Sequence, residues 1–185
     1  MRVIGGELRG RRLLSFKGDG IRPTSDRVKE SLFNIISGTL TDGIKVADLF
    51  AGTGNLGIEA LSRGAGLVFF VEKDKNSVHL LRQNLAQCGL NAGSRIIPMD
   101  VLKAIPFLEK SGERFDIIFL DPPYGKGLAD AALEALGNTV MASGALVVAE
   151  HDSKEEIKER YGKLKMEDKR RYGLTALSFF KGDDS

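Results

Sequence analysis

The chain has 185 residues, 42% of them hydrophobic and 28% charged, a composition that excludes wholesale disorder and suits one domain with a small appendage. No apolar run approaches the roughly 18 residues of a membrane span, and one cysteine with two histidines is too few for an internal disulfide or a zinc site. The net charge of +2 is uneven: residues 1–30 carry eight basic and four acidic side chains, leaving the remainder slightly negative. A second basic cluster, Lys163, Lys165, Lys169, Arg170 and Arg171, lies near the C-terminus. Basic segments on a near-neutral body suit a polyanionic partner. With no export signal the expectation is a cytoplasmic, monomeric protein with no membrane association and no metal.

Residues 1–16 read as a β-hairpin arm, with Arg2–Ile4 and Arg12–Leu14 flanking a glycine-containing turn and little capacity to build a core. Gly18, Gly20 and Pro23 break the chain. Thr24 or Ser25 then caps a helix reaching about Ile36, with Val28, Leu32, Ile35 and Ile36 along one face. From residue 44 short apolar strands alternate with helices. The strands are Ile44–Phe50, Leu67–Val71, Ser94–Ile97, Phe115–Leu120 and Ala145–Ala149. The helices between them are Leu56–Arg63, Asp74–Cys88, Val101–Lys110 and Leu128–Leu136. Nearly continuous apolar strands belong in a parallel sheet covered on both faces. A polar helix is expected over Ser153–Tyr161, then an antiparallel hairpin of Lys163–Arg171 and Leu174–Phe180 around Tyr172-Gly173. The division this implies is an arm and helix over residues 1–40 and a main domain over 41–185.

The first candidate site is Asp48-Leu49-Phe50-Ala51-Gly52-Thr53-Gly54-Asn55-Leu56-Gly57, ending one strand and opening a helix. Gly52, Gly54 and Gly57 match G-x-G-x-x-G, which allows a tight turn and close ligand approach. Glu72 follows 20 residues after Gly52, where a carboxylate can hold ribose hydroxyls. Together they imply a cofactor containing adenosine. A dinucleotide would seat pyrophosphate on the helix N-terminus; S-adenosylmethionine has no phosphate, and Asp48 can attract its methionine ammonium. Asp100, after the third strand, can meet the adenine or cap the helix at Val101.

The second is Asp121-Pro122-Pro123-Tyr124, directly after an apolar strand. The prolines stiffen the loop and remove two backbone donors. A carboxylate, fixed carbonyls and an aromatic ring suit holding a flat base by its exocyclic amine. Asp121 and the Pro122 carbonyl accept from the amine while Tyr124 stacks on the base. A dinucleotide-dependent oxidoreductase would use the glycines and Glu72 but leave this loop idle. A catalytically silent RNA-binding assembly factor would need only the basic arm. An adenine-N6 methyltransferase would suit the same loop. Cys88 lacks an activating partner, and His79 and His151 have no motif partner.

With these residues in view, the chain resembles the RsmD-type family of class I S-adenosylmethionine-dependent methyltransferases. The resemblance rests on Asp48–Gly54 with Asp121–Tyr124, on Arg22-Pro23-Thr24-Ser25-Asp26-Arg27-Val28-Lys29-Glu30-Ser31-Leu32-Phe33-Asn34, on Leu56–Ala65, and on Tyr172-Gly173-Leu174-Thr175. It implies a Rossmann-like, mostly parallel seven-stranded sheet with an antiparallel last strand. It also implies methylation of guanine N2 in small-subunit (16S) ribosomal RNA, naked or in a partly assembled subunit, with S-adenosylhomocysteine as product. Carried over by position, Asp48, Phe50, Gly52 and Gly54 line the methionine end of the cofactor. Glu72 then holds the ribose, Asp100 the adenine, and Asp121, Pro122, Pro123 and Tyr124 the guanine. Arg22, Thr24 and Arg27 close over the cofactor or steer RNA. Arg9, Arg11 and Arg12 on the arm are expected to contact phosphates.

Overall fold

The computed structural model describes residues 1–16, 26–139 and 143–183. The expected cap at Thr24 or Ser25, together with Arg22 and Thr24 of the candidate site, lies outside them. The chain divides into two compact units, residues 1–98 and 99–185. Among the described residues there are eight strands, three paired in parallel in the first unit and five in the second, where the C-terminal strands run antiparallel. No helix is long and apolar enough to cross a membrane.

The first unit contains helix α1 (Asp26–Ile35), strand β1 (Lys45–Asp48), α2 (Asn55–Ser62), β2 (Leu67–Val71), α3 (Lys75–Cys88) and β3 (Ser94–Ile97). β2 lies between β1 and β3, parallel to both, with Asp48 opposite Phe70 and Val71 opposite Ile97. Val68, Phe70 and Val71 are wholly buried because a central parallel strand is covered on both faces. α3 is capped at its start by Asp74, whose carboxylate accepts from the Ser77 N–H at 2.7 Å, and closed by left-handed Gly89.

The arm departs from the expected hairpin. Its two strands reduce to one antiparallel bridge, Arg2 opposite Arg12. The bridge keeps two cross-strand bonds, Val3 N–H to the Arg11 carbonyl (2.9 Å) and Leu13 N–H to the Met1 carbonyl (3.1 Å), while other backbone donors of the arm turn to α2. Ile4 N–H donates to Glu59 Oε2 (2.8 Å), Glu7 N–H to the Ser62 carbonyl (2.8 Å) and Leu8 N–H to Ser62 Oγ (3.0 Å). The arm also contributes to a core, since Val3 and Leu13 are buried. At Gly6 (φ +72°) a Cβ would collide with the Ser62 carbonyl, so glycine is required for this approach.

A buried ion cluster sits behind the arm. Lys29 and Glu59 are 1% and 0% exposed, with Lys29 Nζ 3.4 Å from Glu59 Oε2 and Arg63 Nε donating to Glu59 Oε1 at 2.7 Å. Burial pulls the Lys29 ammonium below its ordinary pKa, against the opposing attraction of Glu59.

The second unit contains α4 (Val101–Lys110), β4 (Ile117–Leu120), α5 (Leu128–Gly137), β5 (Leu146–Asp152), β6 (Arg160–Tyr161), β7 (Leu164–Tyr172) and β8 (Thr175–Gly182). β4 and β5 are parallel, with Leu120 opposite Ala149. β8 runs antiparallel to β5 and to β7, as the terminal hairpin predicts. The polar helix expected over Ser153–Tyr161 does not form. In its place are a turn and the two-residue β6, which brings the strands to eight where the family resemblance implies seven. Tyr161 decides this. Its buried ring meets Phe180 edge-on, its hydroxyl donates to Asp130 at 2.6 Å, and its backbone pairs with Leu164. Asp152 further turns the chain by accepting the Lys154 N–H at 2.9 Å.

Removing one member of a buried ion cluster leaves an uncompensated charge. Lys29→Met should therefore lower stability by about 3 kcal/mol, read as a shift of the urea midpoint at unchanged slope. A loss below about 1 kcal/mol would show that Arg63 alone satisfies Glu59.

Candidate active site

In the first unit the structure gathers Asp48, Phe50, Gly52, Gly54 and Glu72 at the carboxyl ends of β1 and β2. Gly52 and Gly54 have φ of +53° and +95°, in the left-handed region that favours glycine. A Cβ at Gly52 would project into open space, so ligand approach is free there. At Gly57 it would strike the Phe70 ring, so that glycine serves helix-to-strand packing. Glu72, partly exposed, accepts from the Gly52 N–H through Oε2 (2.9 Å) and from the Asp74 N–H through Oε1 (2.7 Å). Each oxygen keeps a lone pair for a ribose hydroxyl.

Asp48 is 1% exposed and its Oδ2 accepts from the Gly57 N–H at 2.9 Å. It therefore occupies the first turn of α2, the position where a dinucleotide would seat its pyrophosphate. A second anion there would be repelled, so the residues present fit an adenosine cofactor without phosphates better than a dinucleotide. Burial pushes the Asp48 carboxyl up to about 7, with the Gly57 hydrogen bond pulling the other way.

In the second unit Asp121 follows β4 and lies one residue beyond the Leu120–Ala149 pair, level with Glu150 of β5. Asp121 is partly exposed, Pro122 buried, Pro123 exposed and Tyr124 partly exposed. The Tyr124 hydroxyl donates to Glu150 Oε1 at 2.9 Å and lies 3.1 Å from Thr175 Oγ1. Burial drives the Tyr124 phenol above its ordinary pKa; the neighbouring Glu150 also raises it, so the ring stays neutral. Glu150, only 4% exposed, is a residue that sequence reasoning missed. The available signal was Tyr172-Gly173-Leu174-Thr175, because Thr175 shares the Tyr124 hydroxyl with it.

Asp100 caps α4, accepting from the Leu102 N–H at 3.1 Å. Arg27 is exposed on α1, and Arg9, Arg11 and Arg12 are exposed on the arm. His151 is wholly buried, its Nδ1 2.8 Å from the Asp152 carbonyl and its Nε2 2.9 Å from Ser178 Oγ, a structural role. Burial raises the Cys88 thiol pKa despite Arg11 nearby, so no thiolate nucleophile is prepared.

A family model described as conserved hypothetical protein 95 matches residues 1–181. The chain belongs to this family. The RsmD-type resemblance is thereby borne out. A Bacillus subtilis (strain 168) family relative, provisionally named rRNA methyltransferase YlbH, is 40% identical over 182 residues, covering 98% of each chain. Ribosomal RNA small subunit methyltransferase D of Escherichia coli (strain K12) is 39% identical over 154 residues, covering 82% of this chain and 75% of that one. Among solved structures, an Escherichia coli chain provisionally named methyltransferase yhhF superposes with a TM-score of 0.86 at 31% identity. It covers 100% of this chain and 99% of that one. The expected α/β methyltransferase fold of the family is thus present.

The raised Asp48 pKa has a stability consequence. The folded state holds this proton more tightly than the unfolded chain, whose carboxyl titrates near 3.8. The contribution is full below about pH 4 and lost as pH rises towards 7. Asp48→Asn keeps an acceptor for Gly57 and cannot titrate. Wild-type stability relative to Asp48→Asn should therefore fall between pH 4 and 7, measured by urea unfolding across that window. Parallel stability profiles would show that Asp48 titrates normally.

Proposed function

We propose that the chain transfers a methyl group from S-adenosylmethionine to ribosomal RNA, and that the acceptor is the exocyclic N2 of a guanine in the small-subunit RNA. The substrate is that RNA, naked or in a partly assembled subunit. The observation that carries the reading is the Asp121–Tyr124 loop at the end of β4, its tyrosine fixed by buried Glu150 and by Thr175. The methyltransferase and ribosomal RNA parts are supported by the family and its named relatives.

S-adenosylmethionine supplies an electrophilic methyl group on a sulfonium. Gly52, where a Cβ would meet open space, gives the close approach that its methionine portion requires, while left-handed Gly54 turns the chain over Leu81 and Ile58, beside Phe50 and Asp48. Glu72 accepts from the ribose hydroxyls, and Asp100 stands for the adenine. Asp121 and the Pro122 carbonyl accept hydrogen bonds from the base amine. Out-of-plane acceptors favour a pyramidal nitrogen whose lone pair is freed from the ring for attack. With the cofactor bound, the carbon–nitrogen bond would form as the carbon–sulfur bond breaks, leaving S-adenosylhomocysteine, and the surplus amine proton would pass to Asp121 or to water. No deprotonation need precede transfer. Tyr124, neutral and pinned by its hydroxyl, offers its ring for stacking, a contact of roughly 1–3 kcal/mol. Residues 1–40 form the RNA-binding and cofactor-covering appendage to a catalytic domain over 41–185. Arg9, Arg11 and Arg12 meet phosphates, and Arg22, Thr24 and Arg27 close over the cofactor or steer RNA.

Incubation with labelled cofactor and small-subunit RNA, followed by nucleoside analysis, should yield N2-methylguanosine. N6-methyladenosine would overturn the guanine assignment, and no transfer to RNA would overturn the function. Asp121→Ala should cut turnover at least a hundredfold, in the range of one lost electrostatic donor or acceptor, while S-adenosylhomocysteine affinity stays within twofold. Unchanged turnover would remove Asp121 from the mechanism. Replacing Arg9, Arg11 and Arg12 by alanine should weaken RNA binding and flatten its salt dependence by about 0.7–0.9 in log–log slope per lost phosphate contact. Wild-type affinity and slope would leave those arginines as surface charge.

A further inference from the structure

Two buried side chains join the arm to the glycine loop, one on each side of Gly54. Asn84, on α3, is 0% exposed. Its Nδ2 donates to the Thr53 carbonyl at 2.8 Å and to the Leu14 carbonyl at 3.0 Å. Its Oδ1 accepts from the Leu14 N–H at 2.7 Å and from Gln87 Nε2 at 3.0 Å. A primary amide has two protons and two lone pairs, and all four are used. Lys29, on α1, repeats the arrangement at the other flank. Its ammonium meets the Arg2 carbonyl at 2.7 Å, Asn55 Oδ1 at 2.8 Å and Glu59 Oε2 at 3.4 Å, one acceptor for each proton. Glu59 in turn accepts the Ile4 N–H. Thr53 and Asn55 are therefore each held by a buried donor that also bonds the arm.

We propose that Asn84 and Lys29 are positioning residues for the cofactor loop, and that residues 1–14 of the arm act through them as part of the cofactor site. The inference rests on the reading of the glycine loop as that site. A loop carrying Gly52 and Gly54 is costly to order, because glycine loses more backbone freedom than any other residue. Unless the protein orders it beforehand, that cost falls on ligand binding. Asp48 and Glu72 fix the loop's amides at Gly57 and Gly52. The stretch between them, Thr53 to Asn55, is fixed from the opposite direction by Asn84 and Lys29. Both donors are deep enough that water cannot substitute for a lost bond. The arm thus preorganises the loop as well as presenting its arginines outward.

The test is calorimetric binding of S-adenosylhomocysteine to wild type, Asn84→Leu and Asn55→Ala, with folding checked by circular dichroism and methyl transfer measured alongside. Asn84→Leu cuts the bridge to Thr53 and Leu14. Asn55→Ala cuts only the loop end of the Lys29 bridge and leaves the buried ion cluster intact. Each folded variant should bind about fivefold more weakly or worse, the equivalent of one ordinary hydrogen bond. The KM for S-adenosylmethionine should rise in step while kcat at saturation stays within twofold. Lowered thermal stability with wild-type cofactor affinity in both variants would overturn the proposal and leave the bridges as core packing. Should Asn84→Leu not fold, Asn55→Ala decides alone. A wild-type protein that binds no S-adenosylhomocysteine would sink the cofactor reading itself, and the inference with it.

Discussion

Wherever a parallel strand ends and a helix begins, the chain must satisfy amide groups that neither ladder can reach. Among the described residues acidic side chains meet that demand at three junctions, while α5 starts at left-handed Gly127 without a side-chain cap. Asp48 bonds the first turn of α2, Glu72 the amides of Gly52 and Asp74, Asp74 the start of α3, and Asp100 the start of α4. After β5, where a turn follows and no helix forms, Asp152 likewise accepts from the Lys154 N–H. Four of the acids in the proposed mechanism or beside it are thus held in place by backbone geometry. A carboxylate committed in this way is fixed in direction and keeps a lone pair for a ligand, which is the preorganisation that binding a neutral ribose needs.

The sites most legible in the sequence are those whose chemistry is local in the chain. The glycine positions, the 20-residue interval to Glu72 and the Asp-Pro-Pro-Tyr loop depend on neighbours a few residues away, and the structure places each at a strand end. Strands β2 and β3 and helix α4 match their expected limits because apolar period and cap coincide there. The failures are tertiary. Ser153–Tyr161 has helical composition, but the pull of Asp130 and Phe180 on Tyr161 outweighs a weak local preference. The arm's hairpin pairs only briefly, at Arg2 and Arg12, and its further amides bond Glu59 and Ser62, more than fifty residues away. Glu150 was invisible for the same reason: nothing adjacent to it in sequence names Tyr124 as its partner.

Charge behaves differently at the surface and in the interior. Surface pairs such as Arg2–Asp26, Lys158–Glu134 and Arg170–Asp168 join side chains more than two-fifths exposed, and each contributes little. The Lys29–Glu59–Arg63 cluster is almost wholly withdrawn from water, so its members depend on one another and on the arm's backbone. From composition the arm looked like a basic appendage. Its arginine side chains do face outward, but its backbone is spent inward.

That division bears on how one short segment would serve the two ligands proposed for it. A phosphate contact made by Arg9, Arg11 or Arg12 uses side-chain charge and tolerates motion, since a polyanion offers many equivalent partners. An adenosine cofactor held by a few hydrogen bonds does not tolerate motion, because a displacement of an ångström breaks them. A segment whose arginine side chains are exposed and whose backbone is bonded at Arg2, Ile4 and Leu14 can meet both demands. The stiffness comes from Asn84, Lys29 and Glu59, all buried. It therefore persists at salt concentrations that screen the exposed arginines, and RNA affinity and cofactor affinity should respond differently to ionic strength.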